Sequence, residues 1–503
     1  MSARSRVLAY AAVYAAVVGA FVLAGGADDS LLCDDAFYYF QIARHAATGH
    51  GFSFDNVHPT NGFHPLWAWL CVPIWRRFGD DAWRPIHVAL LVLVAATAAT
   101  ALVLFRIGRA LSDDTAGERA ALLFLLSPFT LLIPLRGCEA ALSALTLALA
   151  TWAACVCLDR SPALAGDPRA RNGSSVAAFA CLGFATGTAG LARTDHVLFG
   201  AAMMLLVIIS TRSWRATAIF AAVAAVTVAP WLVWTAVRCG TIVQVSGAAK
   251  RAIDLYGRLP SVSGVVVATR NVGHSLVIAA GWVSGEEWRP KRYTGIVLAA
   301  TAAQLVVAAR SGHGRPSPRA LWPLYAYCAL HLAVYAWYYR AYYTWYALPL
   351  ALAIALFCGE RVASRRAWRV VLALAATASI VALVRFGARG PFRRHGAELS
   401  QAALLTELAR LPPGSRVGLE NAGAVGYFAG YARPDMTVVN LDCVVNNAAF
   451  AAWRRHDYAG WLLANVDWVE RAPDSRFIGA AAPEFAAAHL RVIPGMLLLR
   501  VIQ

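Results

Sequence analysis

The sequence predicts a mainly α fold: a polytopic membrane bundle of about eleven helical spans, followed by a small α/β domain at the C-terminal end. Three observations predict it. Of 503 residues, 59% are hydrophobic and only 15% are charged, against about a quarter in an ordinary soluble domain. Several apolar runs reach the roughly 17 to 25 residues that cross the hydrocarbon core as a helix. The basic residues gather in alternate connectors. A mean hydropathy of +0.54 leaves too little polar surface for water to be the main solvent.

The first apolar run covers residues 7–26 behind Arg4 and Arg6. Gly25 and Ala27 leave a cleaved signal peptide open, and the length of the run favours an uncleaved anchor. Either choice puts the next segment outside. Further spans are expected at 85–105, 118–134, 138–158, 176–192, 195–211, 216–237, 293–309, 320–338, 343–359 and 367–385. The shorter apolar stretches 65–78 and 271–284 are expected as interfacial or re-entrant helices.

The net charge is +17, carried almost wholly by Arg, with Lys only at 250 and 291. The connectors expected inside hold seventeen Arg, from Arg4 to Arg369, whereas the short outer ones hold only Arg136, Arg193 and Arg340. That asymmetry follows the positive-inside rule, so the excess is read as orientation and not as a nucleic-acid surface. An odd number of spans then places the C-terminus outside. The ten Cys show no metal or redox spacing and are read as mostly buried thiols.

Two outer loops result, at 27–84 and 238–292, within a membrane domain of residues 1–387. Residues 388–503 have a different composition. The amphipathic AELSQAALLTELARL is stopped by Pro412, Pro413 and Gly414, and strand-like runs follow (RVGLE, TVVNLD, VDWVE, MLLLRVI), interrupted by a helical pattern at 448–464. This is expected to be an extracytoplasmic α/β domain. Its phrase GAVGYF is read as a Gly-rich turn.

The first outer loop carries the chemistry. Asp34 and Asp35 open a helical pattern with Phe37, Phe40, Ala43 and Ala47 on one side, ended by Gly49 and Gly51. The aromatic side suits a helix lying on the membrane surface. Two readings stand for the acidic pair. Asp34 caps the helix while Asp35 complements its dipole, or one of them is a general base at the bilayer surface.

The acidic pair after the first span, then FYYFQIAR, then TNGFHPLW, resembles the bacterial GT-C glycosyltransferases, integral-membrane enzymes that use lipid-phosphate-linked sugars. RGCEAAL (136–142), LARTDH (191–196), GTIVQVSGAAK (240–250), TWYALPL (344–350) and GAVGYFAG…VVNLDCVVNN extend the likeness over nearly the whole chain. The resemblance implies a GT-C-like bundle in a bacterial inner membrane with its active site outside. It puts the catalytic carboxylate at Asp34 or Asp35 and a second acidic residue at Glu139. Cys138 departs from the apolar residue expected there and leaves the acidic position intact.

The chemistry fits independently. Nucleotide sugars stay in the cytoplasm, so transfer outside calls for a polyprenyl-phosphate sugar, a base for the acceptor hydroxyl, and cations for the departing phosphate. The acceptor is expected to be a lipid, glycan or protein. Arg193 and Lys250 are the favoured cations, with Arg136 and Arg340 beside them; each Arg also reads as a snorkelling side chain. His58 and His64 with the two Asp residues form a possible divalent-cation set (Mg or Mn), though their spacing matches no ligand signature. Asn61 reads first as a turn residue and second as part of a loop closing over the donor. The run YAWYYRAYYTWY (335–346) combines an interfacial aromatic belt with rings on which a sugar can stack.

Two rival classes stand beside the transferase. A secondary transporter or flippase would show internal repeats and ionisable groups at depth, and His331 is nearly the only such group here. A non-catalytic assembly partner would use the C-terminal domain for binding.

Overall fold

The computed structural model describes residues 1–25, 31–158, 168–255, 319–337, 343–362, 396–470, 488–492 and 497–502, with a few isolated positions between 272 and 377. The helices up to the second outer loop are α1 (Ala3–Leu23), α2 (Asp34–Ala47), α3 (Pro65–Phe78), α4 (Arg84–Leu111), α5 (Asp114–Leu125), α6 (Pro128–Leu132), α7 (Ala140–Leu158), α8 (Pro168–Ala192), α9 (Val197–Thr211), α10 (Trp214–Cys239) and α11 (Val245–Leu255). Helices Trp322–Trp337 and Leu348–Arg361 follow.

Among the described residues, five helices are long and apolar enough to cross a membrane: α1, α4, α7, Thr194–Thr211 and α10. The chain is a polytopic membrane protein, but the count of eleven is not reached there. Expected spans 293–309 and 367–385 lie wholly or mostly outside the described residues. Those at 320–338 and 343–359 appear as helices of 16 and 14 residues. The span expected at 118–134 is broken: Asp114–Leu125 and Pro128–Arg136 are bent by 59°. Pro128 supplies the reason, because its ring disfavours helical backbone at Ser127 and it has no N–H to continue the ladder.

Residues 65–78 form the expected short helix. At 14 residues α3 is about 21 Å long, too short to span, and it buries Trp67, Cys71 and Trp75 against its neighbours. The counterpart expected at 271–284 lies almost wholly outside the described residues.

The C-terminal part carries a five-stranded sheet: β1 (Arg416–Leu419), β2 (Thr437–Asn440), β3 (Trp468–Glu470), β4 (Leu490–Val492) and β5 (Leu498–Val501), in the order β2-β1-β3-β5-β4. β1 pairs in parallel with β2 (Val417 with Val438) and with β3 (Gly418 with Val469). β5 runs antiparallel to both β3 and β4. Four strands coincide with the strand-like runs; β4 has no such signal. The helical pattern at 448–464 is two helices, Asn447–Arg454 and Tyr458–Asn465. His456, at φ +60°, lies in the break between them.

Two expectations are corrected here. GAVGYF is not a turn but the start of a helix, Gly423–Ala432, linking β1 to β2. The apolar side of α2 does not lie on lipid: its central residues, Ala36 through Ala43, are all buried. Phe37 packs 5.7 Å from Tyr427 and 5.5 Å from Phe428 of that helix, and Phe40 stacks on Trp75 of α3 at 4.9 Å. Large rings gain more from mutual packing, with its added edge and stacking contacts, than from half-immersion at a headgroup. The segment 31–84 is thus clamped between the bundle and the C-terminal sheet.

Candidate active site

Two glycines allow the clamp to close. A Cβ on Gly423 would sit 2.3 Å from the Asp34 carbonyl oxygen, and one on Gly62 would sit 2.0 Å from that of Val444. Backbone from the first loop and backbone from the C-terminal domain therefore touch at both ends of the interface.

At the first of these contacts, Asp34 and Asp35 separate in role. The N-cap of α2 is Cys33, and both acids lie in its first turn. Asp34 caps a different helix: its carboxylate accepts from the backbone N–H of Ala424 at 2.9 Å and of Gly423 at 3.2 Å. Burial raises its pKa above the usual carboxylate range, against the pull of those two amides. Asp35, one residue on, faces a cavity of about 270 Å³. The helical repeat puts Tyr38 and Tyr39 on the same face as Asp35, and all three line the cavity.

The opposite wall comes from the second loop and the bundle. α11 presents Lys250, whose Nζ lies 3.3 Å from Asp35 Oδ2 and 4.7 Å from the Tyr343 ring centre. Burial, the largest single influence, lowers the ammonium's pKa; Asp35, Tyr346 and Tyr343 together outweigh it, and the net effect is well above the ordinary value. Arg193, at the break between α8 and α9, donates to Glu139 Oε1 at 2.6 Å and to Asp195 Oδ1 at 3.0 Å. Glu139 Oε2 accepts from Tyr39 Oη at 2.9 Å. Asp195 in turn accepts from Tyr335 at 3.1 Å and lies 3.2 Å from His331. His331, the group at depth that a transporter would need, is buried in this side-chain network and also meets the Tyr346 carbonyl at 2.9 Å.

His64 lines the same cavity. Its Nδ1 accepts from the Thr194 N–H at 3.2 Å, which leaves the ring proton on Nε2, 3.7 Å from Glu139. Burial pushes its pKa down to about 4, so it stands as a neutral donor at neutral pH.

The geometry thus gathers Asp35, Glu139, Arg193, Lys250 and His64, and leaves other candidates apart. Asn61 is a structural hub: it donates to the Val243 carbonyl at 3.0 Å and accepts from Val245 N and Asn447 Nδ2, each at 3.0 Å. Arg136 does not line the cavity; its Nη1 reaches the Leu31 carbonyl at 3.4 Å. Arg340 lies outside the described residues.

Three residues of the expected divalent-cation set have other partners here. Asp34 takes up two amides, Asp35 faces an ammonium, and His58 is 2.7 Å from Asp55. Among the described residues no three His, Cys, Asp or Glu side chains converge as ligands.

Sequence reasoning assigned no site role to Asp195, Tyr39 or Asp442. Asp195 had a signal, as a charge two residues from Arg193 at the polar break between two apolar runs. Asp442 had none. It follows β2, and burial raises its pKa to about 7 against the Val444 N–H and the Asn440 side chain.

No protein-family model matches the sequence, and no curated protein does. Solved structures do. ArnT from Cupriavidus metallidurans, bound to undecaprenyl phosphate, aligns over 99% of this chain and 98% of its own, with a TM-score of 0.60 at 17% identity. The Archaeoglobus fulgidus oligosaccharyltransferase in its apo form aligns over 92% of this chain and 69% of its own, with a TM-score of 0.56 at 14% identity. The same enzyme tethered to an acceptor peptide gives 0.54 at 12% identity, over 99% of this chain and 74% of its own. The chain has the GT-C fold of these transferases.

Proposed function

We propose that this chain is an inverting membrane glycosyltransferase of the GT-C type, moving a hexosyl or pentosyl group from a polyprenyl-phosphate donor to an extracytoplasmic lipid, glycan or protein acceptor. One observation carries the reading. A carboxylate and a lysine form an ion pair on the lining of a cavity, in a fold shared with an enzyme solved with undecaprenyl phosphate.

In this reading Asp35 takes the proton of the acceptor hydroxyl as its oxygen attacks the anomeric carbon. The C–O bond to the donor phosphate breaks on the opposite face, which inverts the anomer. Positive charge builds on the sugar ring, and the neighbouring carboxylates stabilise it. Negative charge builds on the leaving phosphate. Lys250 is the cation for that oxygen; protonation of Asp35 weakens their 3.3 Å ion pair and frees the lysine side chain to swing from the base to the leaving phosphate on the opposite face. Arg193 is held by two carboxylates and positions Glu139 more than it binds phosphate. Tyr335, Trp345 and Tyr346, which line the cavity, provide faces on which the sugar stacks.

The domain division at residue 387/388 belongs to the same proposal, as does the outer location of the cavity. The C-terminal domain walls the cavity with Val444 and Val445, which suits an acceptor-binding role. Purified protein incubated with labelled polyprenyl-phosphate sugars should release polyprenyl phosphate and form a product of inverted anomeric configuration. No transfer from any such donor, or retention of configuration, contradicts the reading. A reporter fused near residue 50 that proves cytosolic would contradict it too.

A further inference from the structure

A second cavity, of about 560 Å³, lies where α1 begins and α4 and α7 end. α7 starts beside Glu139 of the candidate active site and reaches this cavity at Cys155 and Val156. Its 19 residues measure about 28 Å at 1.5 Å per residue, close to the hydrocarbon thickness of a bilayer. The two cavities therefore open at opposite membrane faces. This second one sits at the face to which the Arg distribution assigns the cytoplasm.

Its lining is of two kinds. Val7, Leu102, Phe105 and Val156 are apolar, whereas Arg4, Arg106 and Arg109 bring three guanidinium groups, and no carboxylate lines it. Arg106 lies over the Trp152 ring at 5.2 Å, which holds its planar head at low entropic cost. Arg109 pairs with Asp114 at 3.2 Å, but both side chains are more than half exposed, so little is lost on exchanging that partner. Among the described residues, Arg4 and Arg106 have no carboxylate partner. Snorkelling under the positive-inside rule accounts for Arg at this face. It does not account for three of them around one apolar-walled cavity.

We propose that this cavity binds an anionic phospholipid, its phosphodiester between the three guanidinium groups and its acyl chains along the apolar wall. Arg presents paired N–H donors that match phosphate oxygens, and basic pockets between membrane helices select acidic headgroups in this way. The site is independent of the transfer reaction.

The test uses the full-length protein in detergent, with thermal unfolding followed against added phosphatidylglycerol, phosphatidylcholine and inorganic phosphate. Phosphatidylglycerol should raise the midpoint, while the other two leave it unchanged. The Arg4→Gln/Arg106→Gln double variant should bind phosphatidylglycerol about tenfold more weakly or worse. Arg215→Gln, at an exposed arginine outside the cavity, should bind as the parent does. Equal stabilisation by phosphatidylcholine, or unaltered affinity in the double variant, would overturn the proposal; a response to inorganic phosphate alone would make this an ion site and overturn it as well. Should the double variant fail to fold, photoactivatable phosphatidylglycerol on the unmodified protein gives the answer. Adducts should concentrate at the start of α1 and the ends of α4 and α7, and an even spread over the bundle refutes the site.

Discussion

The Asp34 carboxylate accepts the Ala424 amide proton at 2.9 Å, 390 positions along the chain, while the next residue, Asp35, pairs with Lys250 at 3.3 Å on the cavity lining. The bolt that holds the C-terminal domain thus sits beside the group proposed to do the chemistry. Each of the two can be disturbed separately.

Gly423→Ala tests the bolt. Its Cβ would meet the Asp34 carbonyl at 2.3 Å and the Asp34 carboxylate at 2.6 Å, and the partner is backbone that cannot swing aside. Overpacking of this kind costs about 1–3 kcal/mol. The variant should unfold at lower temperature and be cut faster by protease between the bundle and the sheet domain. A variant as stable and as resistant as the parent would contradict the clamp.

Asp442 gives the interface a pH dependence. Its folded-state pKa of about 7 lies above the roughly 3.9 of an unfolded Asp. Between those two values the folded protein holds a proton that the unfolded chain has released, so stability falls as pH rises through this window and levels off above it. Thermal unfolding of parent and Asp442→Asn compared from pH 5 to pH 8 isolates this contribution: the parent's advantage over the variant should shrink as pH rises and level off above about pH 7. A slope unchanged in the variant would mean that another group is responsible.

Arg193 and Lys250 should behave differently although both are cations at the cavity. Arg193→Gln leaves Glu139 and Asp195 buried without their shared partner, a loss of about 3–5 kcal/mol. It should lower the unfolding temperature markedly. Arg193→Lys should restore only part, since an ammonium cannot match the forked geometry. Lys250→Ala, at a side chain 23% exposed with one carboxylate partner, should cost less stability than Arg193→Gln and reduce turnover with a polyprenyl-phosphate donor. Loss of stability for Lys250→Ala equal to that for Arg193→Gln would contradict this division.

Much of this was legible in the sequence, for reasons that differ by element. Long apolar runs locate α1, α4, α7 and α10 because a span's requirement is local: length and the absence of charge. Period-two runs located four strands, while β4, three residues with two exposed, lacks the buried face that writes such a pattern. The acidic pair, Glu139, Arg193, Lys250 and His64 were legible as residues. Their partners were not, because Arg193 meets Glu139 from 54 positions away and Asp35 meets Lys250 from 215. The pattern Asp-Asp at a helix start cannot say which acid caps and which reacts. Here it read as a cap for its own helix or as a base, whereas Asp34 caps the helix Gly423–Ala432, a long-range contact with no local trace. GAVGYF failed for a related reason: its glycines answer to neighbours across an interface, not to turn geometry.

The account rests most heavily on the separation of Asp34 from Asp35, and turnover of single variants with a labelled polyprenyl-phosphate sugar measures it directly. Asp35→Asn should reduce turnover by about 10² to 10⁴ while the unfolding temperature stays that of the parent. Asp34→Ala should lower stability by about 0.5–2 kcal/mol and retain turnover once folded. Full activity in Asp35→Asn, or loss confined to the folded Asp34→Ala protein, would contradict the assignment of the base.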